Sequence, residues 1–157
     1  MKASKAGKTW REKLEHSHGG KIVPMPPGMA KRMGTGSLLV PDGLDVEAAI
    51  RRVRRGQLVT QGQIREHLAR EAGADCTCPI TTGIFVRIAA EAAAEEERAG
   101  RQRITPFWRV VRDDGSLIEK LPGGAAGQAA RLADEGQRLV HGKKVRVANF
   151  ENHLARL

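Results

Sequence analysis

Cys76 and Cys78 are the only thiols of this 157-residue chain, and a single residue, Thr77, separates them. That spacing makes a mutual structural disulfide geometrically awkward, so free thiols are expected. As half of a zinc site the pair lacks a second Cys pair. His16, His18 and His67 would have to converge on it to complete a set of about four ligands. No metal and no cofactor is therefore expected. Cys78 has one further chemistry open to it: it precedes a long helical run, and a helix N-terminus lowers a thiol pKa, which would suit a nucleophile. The plainer role, a small semi-buried residue before Pro79, is favoured.

Charge points to a partner. The formal net charge is +9 and the pI near 10.3, a balance that suits an anionic partner, most commonly nucleic acid. Residues 1–36 carry eight Lys or Arg against two Glu, residues 37–136 fourteen against fifteen acids, and residues 137–157 five against one. The basic character thus belongs to both ends, where it serves either phosphate binding or solubility. A hydrophobic fraction of 40% with 29% charged residues is that of a globular protein. No apolar run approaches the roughly 20 residues that span a bilayer, and the basic N-terminus lacks the apolar core of a secretory signal. A cytoplasmic monomer without a membrane role is expected.

The elements that must position any site follow from caps, breakers and periodicity. Pro24, Pro26 and Pro27 rule out one long helix in residues 1–36, which read as an extended Gly/Pro-rich arm with a short helix at Lys8–Leu14. Residues 37–157 form the expected single domain. Ser37–Val40 reads as a short strand. Asp42 or Asp45 caps a helix carrying Val46, Ala49, Ile50 and Val53, which Gly56 ends. Leu58–Thr60 is extended, and Thr60 with Gln63 forms a capping box for a helix bearing Ile64 and Leu68. From Thr82 an apolar stripe of Ile84, Phe85, Ile88, Ala89 and Ala92 predicts the longest helix, stopping at Gly100. Trp108–Val111 reads as a strand, Asp114-Gly115 as a turn, Gly123-Gly124 as a loop before a helix ending at Gly136, and Lys144–Val147 as a half-buried strand.

Three helices, then strand, turn and strand, is the grammar of a winged helix-turn-helix. Within it Pro106-Phe107-Trp108-Arg109-Val110-Val111 precedes Asp114-Gly115-Ser116-Leu117, then Gly123-Gly124, then Arg131-Leu132-Ala133-Asp134-Glu135-Gly136. This series resembles the signature of the alkylguanine-DNA alkyltransferases (methylated-DNA-protein-cysteine methyltransferases): Pro-Cys-His-Arg-Val-Val, an Asp-Gly-Ser-Leu turn, a Gly-Gly pair and a Leu-Leu-x-x-Glu-Gly helix end. Upstream, Gly56-Gln57-Leu58-Val59-Thr60-Gln61-Gly62-Gln63-Ile64 is similar to the family's Gly-x-Val-x-Ser-Tyr-Gly-x-Ile segment, so the resemblance covers about residues 41–136. It implies an α+β, mainly helical fold: the winged helix-turn-helix of the alkyltransferase DNA-binding domain, with short strands and an N-terminal extension.

What the resemblance implies for function turns on the departures. The family's acceptor cysteine position is Phe107 and its histidine position Trp108, and only Glu135 matches the third member of the activation chain. The implied protein is not an enzyme. It resembles the alkyltransferase-like proteins, which lack the cysteine and bind alkylated DNA as a flag for other repair, although those usually place Trp at the cysteine position and keep the histidine. Phe107, Trp108 and Glu135 would line a dead pocket, Glu135 in a structural role at its helix end. Expected DNA contacts are Thr60, Gln61 in place of the family's base-flipping tyrosine, Arg109, and backbone donors near Thr81 and Thr82. Arg87 best matches the arginine that fills the base stack, with Thr81, Thr82 and Arg98 competing for the alignment. The expected partners are double-stranded DNA carrying alkylated guanine and a repair protein. An acceptor at Cys78, or a protein-interaction module on a dead scaffold, are the alternatives.

Overall fold

A computed structural model describes residues 8–17 and 19–157; residues 1–7 of the basic arm and His18 lie outside the described residues. Thr9 caps the first helix, α1 (Trp10–Glu15), by accepting from the Glu12 N–H. Strand β1 (Lys21–Pro24) runs antiparallel to β2 (Ser37–Val40), with Ile22 opposite Leu39. Between them lies α2 (Pro27–Met33). The reading of this stretch as extended is therefore corrected. Pro26 sits at the N-cap and Pro27 at the first helical position, where a missing N–H is no loss and a fixed φ helps.

Asp42 opens α3 (Gly43–Arg51), which ends well before Gly56. The capping box at Thr60 forms with both bonds at 3.0 Å, so α4 (Gln61–Ala72) begins directly after the two-residue strand β3 (Val59–Thr60). Strand β4 (Cys76–Thr77) pairs parallel with β2 and leads into α5 (Pro79–Arg98). The long helix thus starts three residues earlier than its apolar stripe suggests, because proline is suited to the first turn. A 3-10 turn at Phe107–Arg109 precedes β5 (Val110–Val111), which pairs parallel with β3. The strand expected from Trp108 is halved because its partner β3 offers only two residues. Helix α6 (Gly124–Asp134) and the hairpin of β6 (Leu139–His141) and β7 (Val145–Val147) complete the order. No described helix is long and apolar enough to cross a membrane.

Two clusters of buried side chains hold this α+β fold together. The larger joins Leu14 of α1, Val46 and Ile50 of α3, Ile64 of α4 and Val86, Ala89, Ala90 and Ala93 of α5 with Phe107 and Val110. The smaller packs Leu132 of α6 on Leu58, Val111, Leu117 and Val147. Trp108 touches both. The buried face of α5 keeps Ala89 and Ala92 of the expected stripe, with Phe85 and Ile88 packed partly buried against the core, and adds Thr82 and Val86; Ile84 departs from it, 52% exposed, as is Ile80 one turn earlier at 68%. Alanines let α1 and α3 approach α5 closely, and that packing leaves Ile80 and Ile84 outward.

A buried ion-pair network ties α1 to the rest. The Arg11 guanidinium donates to both oxygens of Glu47 at 2.7 and 2.8 Å and to Glu96 at 2.8 Å, while the Thr105 hydroxyl donates to Glu47 at 2.9 Å. Burial alone would raise the Glu47 carboxyl, but the bonds and charge of Arg11 outweigh it and hold the group below its ordinary value. Arg11→Met leaves that carboxylate with only the Thr105 hydroxyl and a longer Arg51 contact at 3.5 Å, and is expected to lower stability by about 3–5 kcal/mol. Adding Glu47→Leu should recover much of the loss, as for replacement of both partners of a buried pair. Chemical denaturation of the three proteins checks this; equal stability of the two variants would contradict it.

Candidate nucleic-acid interface

The helix-turn-helix pair is α4 and α5. Gly62 at the start of α4 donates its N–H to Asp113 at 2.7 Å, and Arg65 reaches the same carboxylate at 3.4 Å, so the loop after β5 fixes the front of α4. Asp113 escaped the sequence reading, although the neighbouring Asp-Gly turn marked the loop. Thr60 is buried, and its hydroxyl accepts from the Gln63 N–H; Gln61 is partly exposed beside it. At the head of α5, Thr82 is fully buried and donates to the Cys78 carbonyl at 2.7 Å, whereas Thr81 is partly exposed and donates to Cys78 Sγ at 3.4 Å. Of these residues Gln61 and Thr81 are the ones with surface to offer.

Arg87 stands exposed on α5 and makes no ion pair among the described residues. Ile80, Ile84 and Arg87 follow helical spacings of four and three, so they share one outward row. Glu91, partly exposed, lies one turn beyond Arg87, about 6 Å along the axis at 1.5 Å per residue, and Glu95, Glu96 and Glu97 follow about 12–15 Å past Arg87. Glu95 accepts the Trp10 N–H at 2.9 Å, Glu96 pairs with Arg11 and Arg101, and Glu97 pairs with Arg131 at 2.6 Å. The charges of Glu96 and Glu97 are compensated by these arginines, which removes part of the repulsion that phosphates would meet, while the second carboxylate oxygen of Glu95 has no hydrogen-bond partner among the described residues.

Around Phe107 the structure is closed. Phe107 is 1% exposed and meets the Trp108 ring edge-on with centroids 5.3 Å apart. The Arg131 guanidinium lies 4.6 Å from the centroid of Trp108 and 5.5 Å from that of Phe107, covering both rings. Arg131 was not singled out from sequence, where it is one more charge on an amphipathic helix.

Beneath the rings Glu135, the C-terminal cap of α6, receives Trp108 Nε1 at 3.1 Å and Arg109 Nε and Nη2 at 2.9 and 2.7 Å. Arg109 Nη1 donates to the Val53 carbonyl at 2.7 Å, so all three of these nitrogens face inward rather than toward a ligand. Buried Gln128 completes the frame, donating to the Trp108 and Val110 carbonyls and accepting from Ile118.

Cys78 is the N-cap of α5 but 8% exposed, and burial pushes the Cys76 thiol up. Among the described residues no three metal-ligating side chains converge.

No family model and no curated relative matches the sequence. In three dimensions the chain has the fold of the alkyltransferase-like DNA-binding proteins, a winged helix-turn-helix of the alkyltransferase type. It is similar to S. pombe Atl1 solved in complex with damaged DNA containing O6-carboxymethylguanine, with a TM-score of 0.51 at 18% identity, covering 73% of this chain and 94% of that one. It is likewise similar to S. pombe ATL in complex with DNA, with a TM-score of 0.53 at 19% identity and the same coverage.

Burial by itself would raise the Glu135 carboxyl, but the hydrogen bonds from Arg109 and Trp108 and the charges of Arg109 and Arg55 hold it below the ordinary 4.5. A carboxylate depressed by folding adds stability above its unfolded value, and that stability fades as pH falls through the folded one. Glu135→Ala is expected to lower stability near neutral pH by about 3–5 kcal/mol, because it leaves the Arg109 charge buried and unpaired. Between pH 4.5 and the start of acid unfolding, stability should fall less steeply in the variant than in the parent. Thermal melts across pH measure both effects; parallel curves would show that Glu135 is not held in its charged form.

Proposed function

We propose that this chain binds duplex DNA as an alkyltransferase-like protein, marks alkylated guanine for a further repair protein, and carries out no alkyl transfer. What supports this reading is Phe107, which the sequence resemblance aligns with the acceptor cysteine, in a chain whose fold is similar to that of S. pombe Atl1 in complex with damaged DNA. A phenyl ring has no lone pair with which to displace an alkyl group. Trp108 holds Glu135 through an N–H donor and has no basic nitrogen to activate a nucleophile.

The row Ile80, Ile84 and Arg87, with Gln61 and Thr81 beside it, is the surface that enters a groove. Glu96 and Glu97, held by arginines, lie farther along α5. If a nucleotide is extruded, Arg87 fills the gap it leaves. The extruded base then stacks on Trp108 after Arg131 swings aside, since Phe107 has no free face.

Two measurements test this reading. Radiolabelled methylated duplex incubated with the protein should leave no label on it; stoichiometric label would refute the assignment, and label on Cys78 would identify a displaced acceptor. In a binding assay across salt, Arg87→Ala should abolish the preference for duplex containing alkylated guanine, a contrast of about 1–3 kcal/mol if one stacked base carries it, and leave unmodified duplex nearly unaffected. Exposed Lys31 and Arg32 of α2, replaced together by alanine, should weaken both duplexes alike if residues 1–36 contact phosphates. These are better probes of that segment than truncation, which would remove the buried Leu14. Equal affinity of the parent protein for both duplexes would leave only non-specific binding.

A further inference from the structure

Away from the head of α5 the molecule has a cleft of about 650 Å³ lined by Arg51, Arg52, Arg54, Gln57, Leu154 and Arg156. Four guanidinium groups from the end of α3, the loop after it and the C-terminal segment converge there, and no carboxylate lines the space. The nearest compensation is weak. Arg51 approaches Glu47 at 3.5 Å, but that carboxylate is already held by Arg11 and Thr105. Arg52 meets His67 Nε2 at 3.4 Å, and burial and the Arg52 charge both favour a neutral imidazole. Arg54 and Arg156 are exposed and have no ionic partner among the described residues. Gln57 presents its NH2, because its carbonyl accepts from the Arg54 N–H. The cleft is thus a set of donors and positive charges that repel one another until an anion enters.

Its position follows from α4. Gln63 and Arg70 donate to the carbonyls of Ala155 and Leu157, and His67 meets Arg52, so this face of α4 looks toward the cleft. Gly62 and Arg65 look toward Asp113, and Arg65 borders a hollow with Pro79 and Ile80 at the head of α5. At roughly 100° per residue Arg65 and His67 lie on nearly opposite sides of the helix. The cleft and the start of α5 therefore face different ways.

We propose that this cleft is a second phosphate-binding surface, which holds the backbone of a nucleic-acid segment other than the duplex on α5. Guanidinium forks match phosphate oxygens. An acidic protein segment fits less well, since Leu154 is the only apolar residue in the lining and stable protein interfaces need an apolar centre. The inference rests on the DNA-binding reading only for the identity of the anion.

Native mass spectrometry at low ionic strength, titrating the full chain with a duplex too short to reach both faces, should show two duplexes per protein. Arg54→Ala/Arg156→Ala should stop at one, with the second step weakened at least about tenfold, as expected from losing two phosphate contacts. Neither side chain packs internally, and an unchanged melting temperature verifies the fold. Saturation at one duplex in the parent protein, or two duplexes retained by the double variant, overturns the proposal. So does a polyglutamate peptide that occupies the cleft more tightly than an oligonucleotide of equal charge, which would assign the surface to a protein partner. The Arg87→Ala contrast is independent of these outcomes, so the two readings can fail separately.

Discussion

The carboxylate of Glu135 is the point on which the rest of the architecture turns. Three donors from Trp108 and Arg109 close on its two oxygens, and Arg109 reaches onward to the Val53 carbonyl beyond α3. One acidic side chain at the end of α6 thereby joins the 3-10 turn before β5, the loop after α3 and the seam between the two cores. Buried charges of this kind hold their geometry because each alternative leaves an unpaired ion in a poorly solvated place. In the related enzymes implied by the sequence resemblance, a glutamate here orients a histidine. Here an indole N–H satisfies the acceptor, and the framework needs no histidine at this position.

A similar economy governs the long helix. Helix α5 carries acids that a phosphate backbone would repel, yet they serve as partners for Arg11, Arg101 and Arg131, which draw α1 and α6 onto its C-terminal half. The N-terminal half is left with neutral and basic residues on its outward row. One helix thus has a structural end and a presenting end, separated by its length rather than by a change in its backbone.

Where local side chain to backbone bonds decide the structure, the sequence is readable. The Asp42 cap and the Thr60–Gln63 box lie where their spacing puts them, because each is closed within a few residues. Reading fails where a distant partner decides. Cys76–Thr77 is a strand only because β2 lies alongside, and Phe107–Arg109 coils because β3 is short. Helix α2 is obscured by prolines that favour a helix at its first position and oppose one anywhere else. At the candidate interface, the series around Phe107 to Glu135 is visible as a motif. The inward commitment of Arg109 and the cover of Arg131 depend on tertiary packing and leave no local trace.

The packing of Phe107 bears on the history open to such a chain. A phenyl ring with 1% exposure, wedged edge-on against Trp108 beneath a guanidinium, has been absorbed into the larger core. Placing a cysteine at this position would open a cavity, and large truncations of buried aromatics cost about 3–5 kcal/mol, a sizeable part of the stability of a small domain. The thiol would still face an indole where a base is needed, and replacing Trp108 by histidine would remove the side chain that spans both cores. Each backward step is deleterious until the other is taken. On the proposed reading this packing acts as an evolutionary ratchet, in which lineages descending from this arrangement can refine binding far more readily than they can acquire an acceptor thiol at this position.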